Sequence, residues 1–564
     1  MTDPCTIGVD FGTTSVRAVV VRCADGATMG SAVFDYPSGE AGVLLDPADP
    51  HLARQNPADY LEGLTLCARD ALAAAERAGG FARDRVIGIG VDTTGSTPLP
   101  VDAQNVPLAL DDRWRDTLAA HAWLWKDHTA AAEAEAITTA ARERGARYLA
   151  PIGGTYSSEW FWAKIWRCRK VAPKVFAAAA SWVELADYLP AALAGVTRPE
   201  DIVRCVCAAG HKAMFGEAWG GLPSRAFFHD LDPALALLRD RLYTAAYPAD
   251  RPAGFLSPRW AETLGLRAGI PIAMGGFDAH YGAVGAGITT GTLVKIIGTS
   301  TCDIAIASEQ DKLPDVPGIC GIVRGSVIPG YYGIEAGQSA VGDLLRWWVD
   351  VVCEGSAARH ADMSAAAAHL RPGQSGLLAL DWNNGNRTIL VDPRLTGLLL
   401  GQTLHTTRVE IYRALIEATA FGARAIVERL REYHVPVERI ICCGGIAEKN
   451  DLFMRVYADV IGMPMHTAGS PQTPALGAAI SAAVAAGPAA GGYASFGDAQ
   501  PRMTSPGART FTPDPAAHAV YGDLYGMYRE LHDTFGRVQG AAADLPSLMK
   551  RLLALRGRCA GAPA

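Results

Sequence analysis

IGVDFGTTSVRAVVV (Ile7–Val21) and VKIIGTSTCDIAIA (Val294–Ala307) repeat one pattern: an apolar run, a Gly-Thr-Thr/Ser turn and a second apolar run. Gly12 in the first answers to Gly298 in the second, about half of the 564 residues away. Two β-branched runs joined by a short Gly-Thr turn read as a β-hairpin. Beyond each hairpin, strand patterns alternate with helix patterns. The chain therefore reads as two copies of one α/β domain with a cleft between them, not as a repeat array. The expected division is residues 1–285 and 286–564.

Outward from the first hairpin, Pro57–Ala78 has helical periodicity, with Tyr60, Leu64, Cys67 and Leu72 on one side. RVIGIGVD (Arg85–Asp92) is a buried strand opening into a Thr/Gly/Ser loop. In open α/β sheets, ligands bind outside such strand ends. Trp114–Ala141 reads as helical, and Ser157 or Ser158 as the cap of a helix running from Glu159 to Val171. PIAMGG (Pro271–Gly276) is a short strand, followed by Phe277-Asp278-Ala279-His280 at a helix start.

Outward from the second hairpin, EAGQSAVGD (Glu335–Asp343) opens a Trp-rich helix. Arg408–Tyr433 is a long amphipathic helix, and RIICC (Arg439–Cys443) a strand that turns at Gly444-Gly445 into a helix over Lys449–Ile461. Ala475–Gly487 is Ala/Gly-rich and reads as a tightly packed helix. The Pro/Gly/Ala-rich stretch after Gly487 reads as loop until a last helix at Asp514–Phe535.

Composition narrows the class. Hydrophobic content of 49% and 19% charged residues support large cores. A net charge of −7 without a basic block argues against nucleic acid or a membrane surface as partner. No stretch is long and apolar enough to cross a bilayer, and MTDPCTIGVDFG lacks a signal-peptide pattern, so a cytoplasmic protein is expected. The 12 cysteines show no repeated C-x2-C spacing and read as reduced buried thiols.

Function is legible at the turns. Backbone N–H groups around Gly12, with the hydroxyls of Thr13, Thr14 and Ser15, can converge on phosphate oxygens without a basic side chain. Asp10, two residues before the turn, suits Mg²⁺ or its waters. Either turn alone is most simply a tight hairpin, and no Walker A loop is present. Asp278 after Gly275-Gly276 is either a helix-terminus acid or a general base for a hydroxyl attacking phosphorus. His280 is more simply a packed or solvated histidine. Gly444-Gly445 is a close strand–helix turn or a seat for a flat ring such as adenine.

Taken together, VDFGTTSVRA, GGFDAHYGAVGAG, IIGTSTCD and GGIAEKNDLFMRVYADVIG, in this order, resemble the FGGY family of carbohydrate kinases. The resemblance runs from about Thr6 to Ala486. It implies two actin-like, ribonuclease H-like domains with ATP, Mg²⁺ and a small-molecule sugar in the cleft. Asp278 matches the catalytic base and Asp10 the acid near Mg²⁺. Gly12, Thr13 and Thr14 match the first phosphate turn, and Gly298, Thr299 and Ser300 the second. Gly444, Gly445 and Asn450 match the adenosine side. Lys212 (in GHKAMF) and Glu335 (in GIEAGQS) match sugar-contacting groups, with Ser96 or Gly95 lining the same pocket.

Segments outside the shared ATP machinery, among them VDTTGSTPLPVD, WKDHTAAAEAEAI, GGTYSSEWFWAKIW and LDWNNGNR, resemble those of the family's kinases of L-ribulose. The implied step is ATP-dependent phosphorylation of L-ribulose to L-ribulose 5-phosphate, in L-arabinose catabolism. D-ribulose or a pentitol such as ribitol is the alternative substrate. An actin-like ATPase or sugar sensor is the alternative of a different class, against which the intact GGFD context argues. A homodimer is the commonest assembly for such a chain.

Overall fold

In the computed structural model, which describes residues 3–144, 147–311, 313–536, 538 and 542–560, both quoted stretches are β-hairpins. β1 (Cys5–Phe11) turns at Gly12 into antiparallel β2 (Ser15–Arg22), which pairs with β3 (Thr28–Asp35). β4 (Val86–Thr93) returns parallel to β1. β5 (Pro252–Phe255) and β6 (Pro271–Ala273) complete the layer, and the short β7 (Gly276–Phe277) also pairs with β4. The order is β3-β2-β1-β4-β6-β5.

The second half contributes β8 (Gly291–Ile297), β9 (Thr301–Ser308), β10 (Gly321–Arg324), β11 (Tyr331–Ala336), β12 (Val437–Cys443), β13 (Met465–Ala468) and β14 (Pro506–Phe511). Their order is β10-β11-β9-β8-β12-β13-β14. With β10 set aside as an added edge strand, this sheet matches the first strand for strand. Directions match too: β8 is antiparallel to β9 and parallel to β12, as β1 is to β2 and β4. The echo in sequence is a duplication in space.

Four helices fix the cleft. α1 (Pro57–Ala78) begins with Asn56, whose side chain accepts from Ala58 N, and with Pro57 at its first position. α2 (Val206–Lys212) carries Lys212 at its end, and α3 (Asp278–Gly285) carries Asp278 at its start. α4 (Thr473–Ala486) is the Ala/Gly-rich helix of the second half, and it lies directly on the first sheet. A Cβ at Gly8 would stand 1.8 Å from Ala475 O, and one at Gly90 1.9 Å from Ala478 O. Only glycine in β1 and β4 lets a helix backbone come this close. Thr6 Oγ1 seals the contact by donating to Ala479 O at 2.9 Å.

Each half has its own apolar core. A third core, rich in tryptophan, lies under residues 108–242. A fourth joins α3, α4 and the facing strands of both sheets.

Several expectations are corrected. The segment from Trp114 is turns and short 3₁₀ pieces, with a helix only at Ala131–Glu143. Within it Ala122–Trp123 forms a strand beside Arg54 and Gln55, so sheet pairing overrides the apolar helical pattern. The cap position of the Phe161–Val171 helix is Trp160, and Ser157 instead accepts from Glu159 N. Glu335 is in β11, and the helix beyond it starts only at Gly342. The helix expected over Lys449–Ile461 is split at Asn450. The stretch after Gly487 holds a helix at Phe496–Met503 and the strand β14, and a further helix spans Leu545–Ala560. Cys205, Cys207, Cys442 and Cys443 are free and buried. No described helix is long and apolar enough to cross a membrane.

Candidate functional site

Because β1 and β4 run parallel, residues in register carry side chains to the same face. Asp10 is in register with Asp92 on β4 and with Arg17 on β2. Arg17 Nη1 stands 3.8 Å from Asp10 Oδ2, with its own side chain 49% exposed. Asp92 is fully buried, and among the described residues only the neighbouring Asp10 carboxyl stands as a partner for its oxygens. Burial, and then the charges of Asp10 and Asp278, push the Asp92 carboxyl well above the usual range. Burial also raises Asp10, against the pull of Arg17.

Asp278 opens α3 beside this pair, its Oδ1 accepting from Ala279 N at 2.6 Å. Burial, and then the charge of Asp10, push its carboxyl up to about 7. A carboxylate poised there is a competent general base at neutral pH. Asp10 and Asp92 share one half-exposed arginine, and the cation that acts on Asp278 is Lys212. Such oxygen donors suit a hard divalent cation, and the orphaned oxygens of Asp92 are the direct sign that the donor set fits one.

The two turns sit where their strands leave the sheets. Gly12 N donates to Ser15 O and Gly298 N to Ser300 O, each at 3.0 Å. Gly12, Thr13 and Ser300 are half-buried; Thr14, Gly298 and Thr299 are exposed, although the strands on either side are largely buried. Thr13 is braced by Gln55, which donates to its carbonyl at 2.7 Å, and by Trp125, whose indole N–H donates to its hydroxyl at 3.0 Å. The second turn is braced through its carbonyls: Gly298 O accepts from Gly342 N at 3.1 Å, and Thr299 O from Val341 N at 2.9 Å.

Gly444 holds φ +97°, and a Cβ there would meet Ile297 O at 2.4 Å, so the turn lies against the end of β8. A Cβ at Gly445 would meet open space. Asn450 caps the next helix, accepting from Phe453 N at 3.0 Å, and also accepts from Ser364 Oγ at 3.0 Å.

Lys212 is buried, which removes the surface-lysine reading. Its Nζ donates to Glu335 Oε1 at 2.8 Å and Oε2 at 3.1 Å, joining the two halves across the cleft. Trp160 and Phe277 flank the ammonium with ring centres at 5.5 and 5.4 Å. Burial opposes charge on both partners, but the pair outweighs it: Glu335 is held well below the usual carboxylate range and Lys212 is raised. Two histidines back the pair. His211 Nδ1 is 3.6 Å and His280 Nε2 3.9 Å from Glu335 Oε2, and their Nε2 atoms are 3.2 Å apart. Burial lowers His280 to about 4, so His280 is a neutral packed imidazole. The charge of Glu335 also acts on Asp278, so the lysine–glutamate pair adjoins the acid pocket.

Ser96 is fully buried, with its hydroxyl committed to Glu184 and its carbonyl accepting from Lys164 Nζ at 2.8 Å, so neither group is free to meet a sugar. Beyond Glu335 the cleft widens into a cavity of about 400 Å³. Its wall carries Glu159 and Arg387, paired across the halves at 3.2 Å.

Sequence reasoning missed Asp92, Trp125 and the Glu159–Arg387 pair. An acid ending an otherwise apolar strand was the available signal for Asp92. The other three lie within segments the resemblance singled out, WKDHTAAAEAEAI, GGTYSSEWFWAKIW and LDWNNGNR, but nothing in those segments marked them individually, because their partners are distant in the chain.

The comparisons with known proteins agree with this geometry. Residues 5–285 match the N-terminal domain, and residues 293–486 the C-terminal domain, of the FGGY family of carbohydrate kinases. The chain belongs to the FGGY family of carbohydrate kinases. This FGGY kinase is 43% identical over 573 residues to a ribulokinase of Halalkalibacterium halodurans, covering 99% of this chain and 98% of that protein. It is 42% identical to a ribulokinase of Shouchella clausii at the same coverage. Among solved structures, it superposes on the xylulose kinase of Rhodospirillum rubrum with a TM-score of 0.74 and 25% identity, over 94% of this chain and 99% of that one. The gluconate kinase of Lactobacillus acidophilus shares the fold, with a TM-score of 0.74 at 17% identity, over 95% of this chain and 99% of that one. It is thus an α/β phosphotransferase with an alcohol group as acceptor.

Proposed function

We propose that this FGGY kinase transfers the terminal phosphoryl group of ATP to the terminal hydroxyl of L-ribulose, giving L-ribulose 5-phosphate and ADP. Ribulose as the sugar is supported by the near-full-length identity to proteins named ribulokinase, and its L form by the resemblance of the segments outside the ATP machinery. The buried Lys212–Glu335 pair supports it, because a polyol needs convergent charged donors and acceptors to pair its hydroxyls.

In the proposed reaction, Lys212 and Glu335 hold sugar hydroxyls and present the terminal one to Asp278. Asp278 takes its proton as the hydroxyl oxygen bonds to phosphorus. The bond from phosphorus to the bridging oxygen breaks, and that oxygen leaves with ADP. N–H groups and hydroxyls of Gly12, Thr13, Thr14, Gly298, Thr299 and Ser300 receive phosphate oxygens from both sides of the cleft. Gly444, Gly445 and Asn450 border the adenosine. Asp10 would hold Mg²⁺, which when bound neutralises charge developing on the phosphates. Positioning and water exclusion supply most of the rate, as in other phosphoryl transfers. Residues 1–285 and 286–564 then act as the two jaws.

The test is phosphorylation by the purified full chain with Mg·ATP against L-ribulose, D-ribulose, L-xylulose, D-xylulose, ribitol and glycerol. L-ribulose is expected to give the highest kcat/KM. A preference for glycerol or D-xylulose overturns the assignment.

A further inference from the structure

Asp92 is the odd acid of this molecule. Among the described residues, each of the other buried aspartates has a partner. Asp59 accepts from the Ser38 amide and hydroxyl, Asp381 from Gln338, and Asp127, Asp187 and Asp303 stand against Arg54, Arg204 and Lys295. Asp10 at least faces Arg17. Asp92, at 0% exposure, has no amide, hydroxyl or cationic partner at either oxygen among the described residues, only the Asp10 carboxyl beside it. A buried carboxylate placed this way is unfavourable in its charged form unless a cation or donor completes it.

The fold itself does not ask for acid at this place. In the second half, the residues at the same register positions are Ile296 and Cys443, paired across β8 and β12 as Asp10 and Asp92 are across β1 and β4. An apolar pair fills the same architecture without difficulty. The acid pair is therefore an addition to one copy.

We propose that Asp92 and Asp10 together form the seat of the divalent cation, Asp92 supplying a second carboxylate beside the one the family resemblance assigns. This deepens the kinase reading and rests on it only in expecting a metal–nucleotide complex. A hard cation between two carboxylates compensates both orphaned oxygens. It leaves Asp278 unligated to accept the sugar's proton.

The test is Mn²⁺ binding to the full chain in the presence of ADP and without sugar, read by electron paramagnetic resonance against Mn·ADP alone. Because no sugar is present, an incorrect sugar assignment leaves the result untouched. In Asp92→Asn, Mn²⁺ is expected to bind ~10-fold or more weakly than in the wild type. Its Tm in EDTA is expected to equal or exceed that of the wild type, since an uncompensated acid has been removed. Asp92→Cys, the second half's residue at this register, provides the positive arm: a thiolate prefers soft cations, so Cd²⁺ should bind it more tightly than it binds wild type. Mn²⁺ affinity within about twofold of wild type in Asp92→Asn, or a Cys variant with no gain for Cd²⁺, overturns the proposal. So does a lowered Tm in EDTA with unchanged Mn²⁺ binding, which marks Asp92 as a purely structural group.

Discussion

The two halves share a sheet and share little else where it matters. At matched register positions the first half has Asp10 and Asp92 and the second has Ile296 and Cys443. Two residues earlier on each strand, the first has Gly8 and Gly90 and the second has Val294 and Ile441. The helix after the last central strand opens with Asp278 in one copy and with Thr473 in the other. Where the second copy is filled with apolar or neutral residues, the first carries charge and bare backbone. A duplicated architecture thus tolerates apolar filling, and the departures from it mark chemistry and the contact between halves.

Giving the first half the second half's residues tests that lesson. Asp278→Thr keeps a small polar helix start and removes the proposed base. Its kcat should fall at least ~10²-fold, since that is the smallest usual contribution of a general base. A variant with near-wild-type kcat in steady-state assays rejects the base assignment.

Lys212→Met breaks the ion pair between halves and leaves Glu335 buried without its partner. Truncating one member of such a pair costs about 2–5 kcal/mol. The loss should appear as a raised KM for the sugar, with the KM for ATP little changed. Equal effects on both substrates would separate Lys212 from the sugar.

Gly90→Ile installs the residue that stands at the matched place in the second sheet, but here a Cβ would lie 1.9 Å from Ala478 O. The helix must move away, and overpacking of this kind costs about 1–3 kcal/mol or more. Denaturant unfolding is expected to show the loss. Ile441→Val in the second sheet should cost only about 0.5–1.5 kcal/mol.

The smallest effect is that of pH. As the proposed base, Asp278 must be unprotonated, and burial with the charge of Asp10 pushes it up to about 7. With Mg·ATP saturating, kcat/KM for the sugar should rise with pH and then level off, and a cation on Asp10 should set this limb below about 7 by offsetting the charge that raises Asp278. In Asp278→Thr the residual rate should lose this limb. A flat profile between acid and neutral pH in the wild type contradicts the base as placed.

Much of the fold was written locally. The Gly-Thr turns, the strand ending at Asp92, the helix periodicity of Pro57–Ala78 and the Ala/Gly run of Thr473–Ala486 each encode their element, because backbone preference and apolar spacing act over a few residues. The echo of one hairpin in the other carried the duplication and hence the cleft. Sequence did not disclose what depends on distant partners. Trp114–Ala130 has a helical look, but Ala122–Trp123 is claimed by a strand at Arg54–Gln55. Glu335 looks like a cap until β11 pairs with β9 and turns it toward Lys212, a contact spanning 123 positions. Asp92 looks like any strand end until β4 is laid beside β1. Sequence by itself determined the elements and their repetition, since those arise from short-range spacing. Only the tertiary structure decided which charges meet and which acid is left without a partner, because burial and register are properties of strands brought together from far apart in the chain.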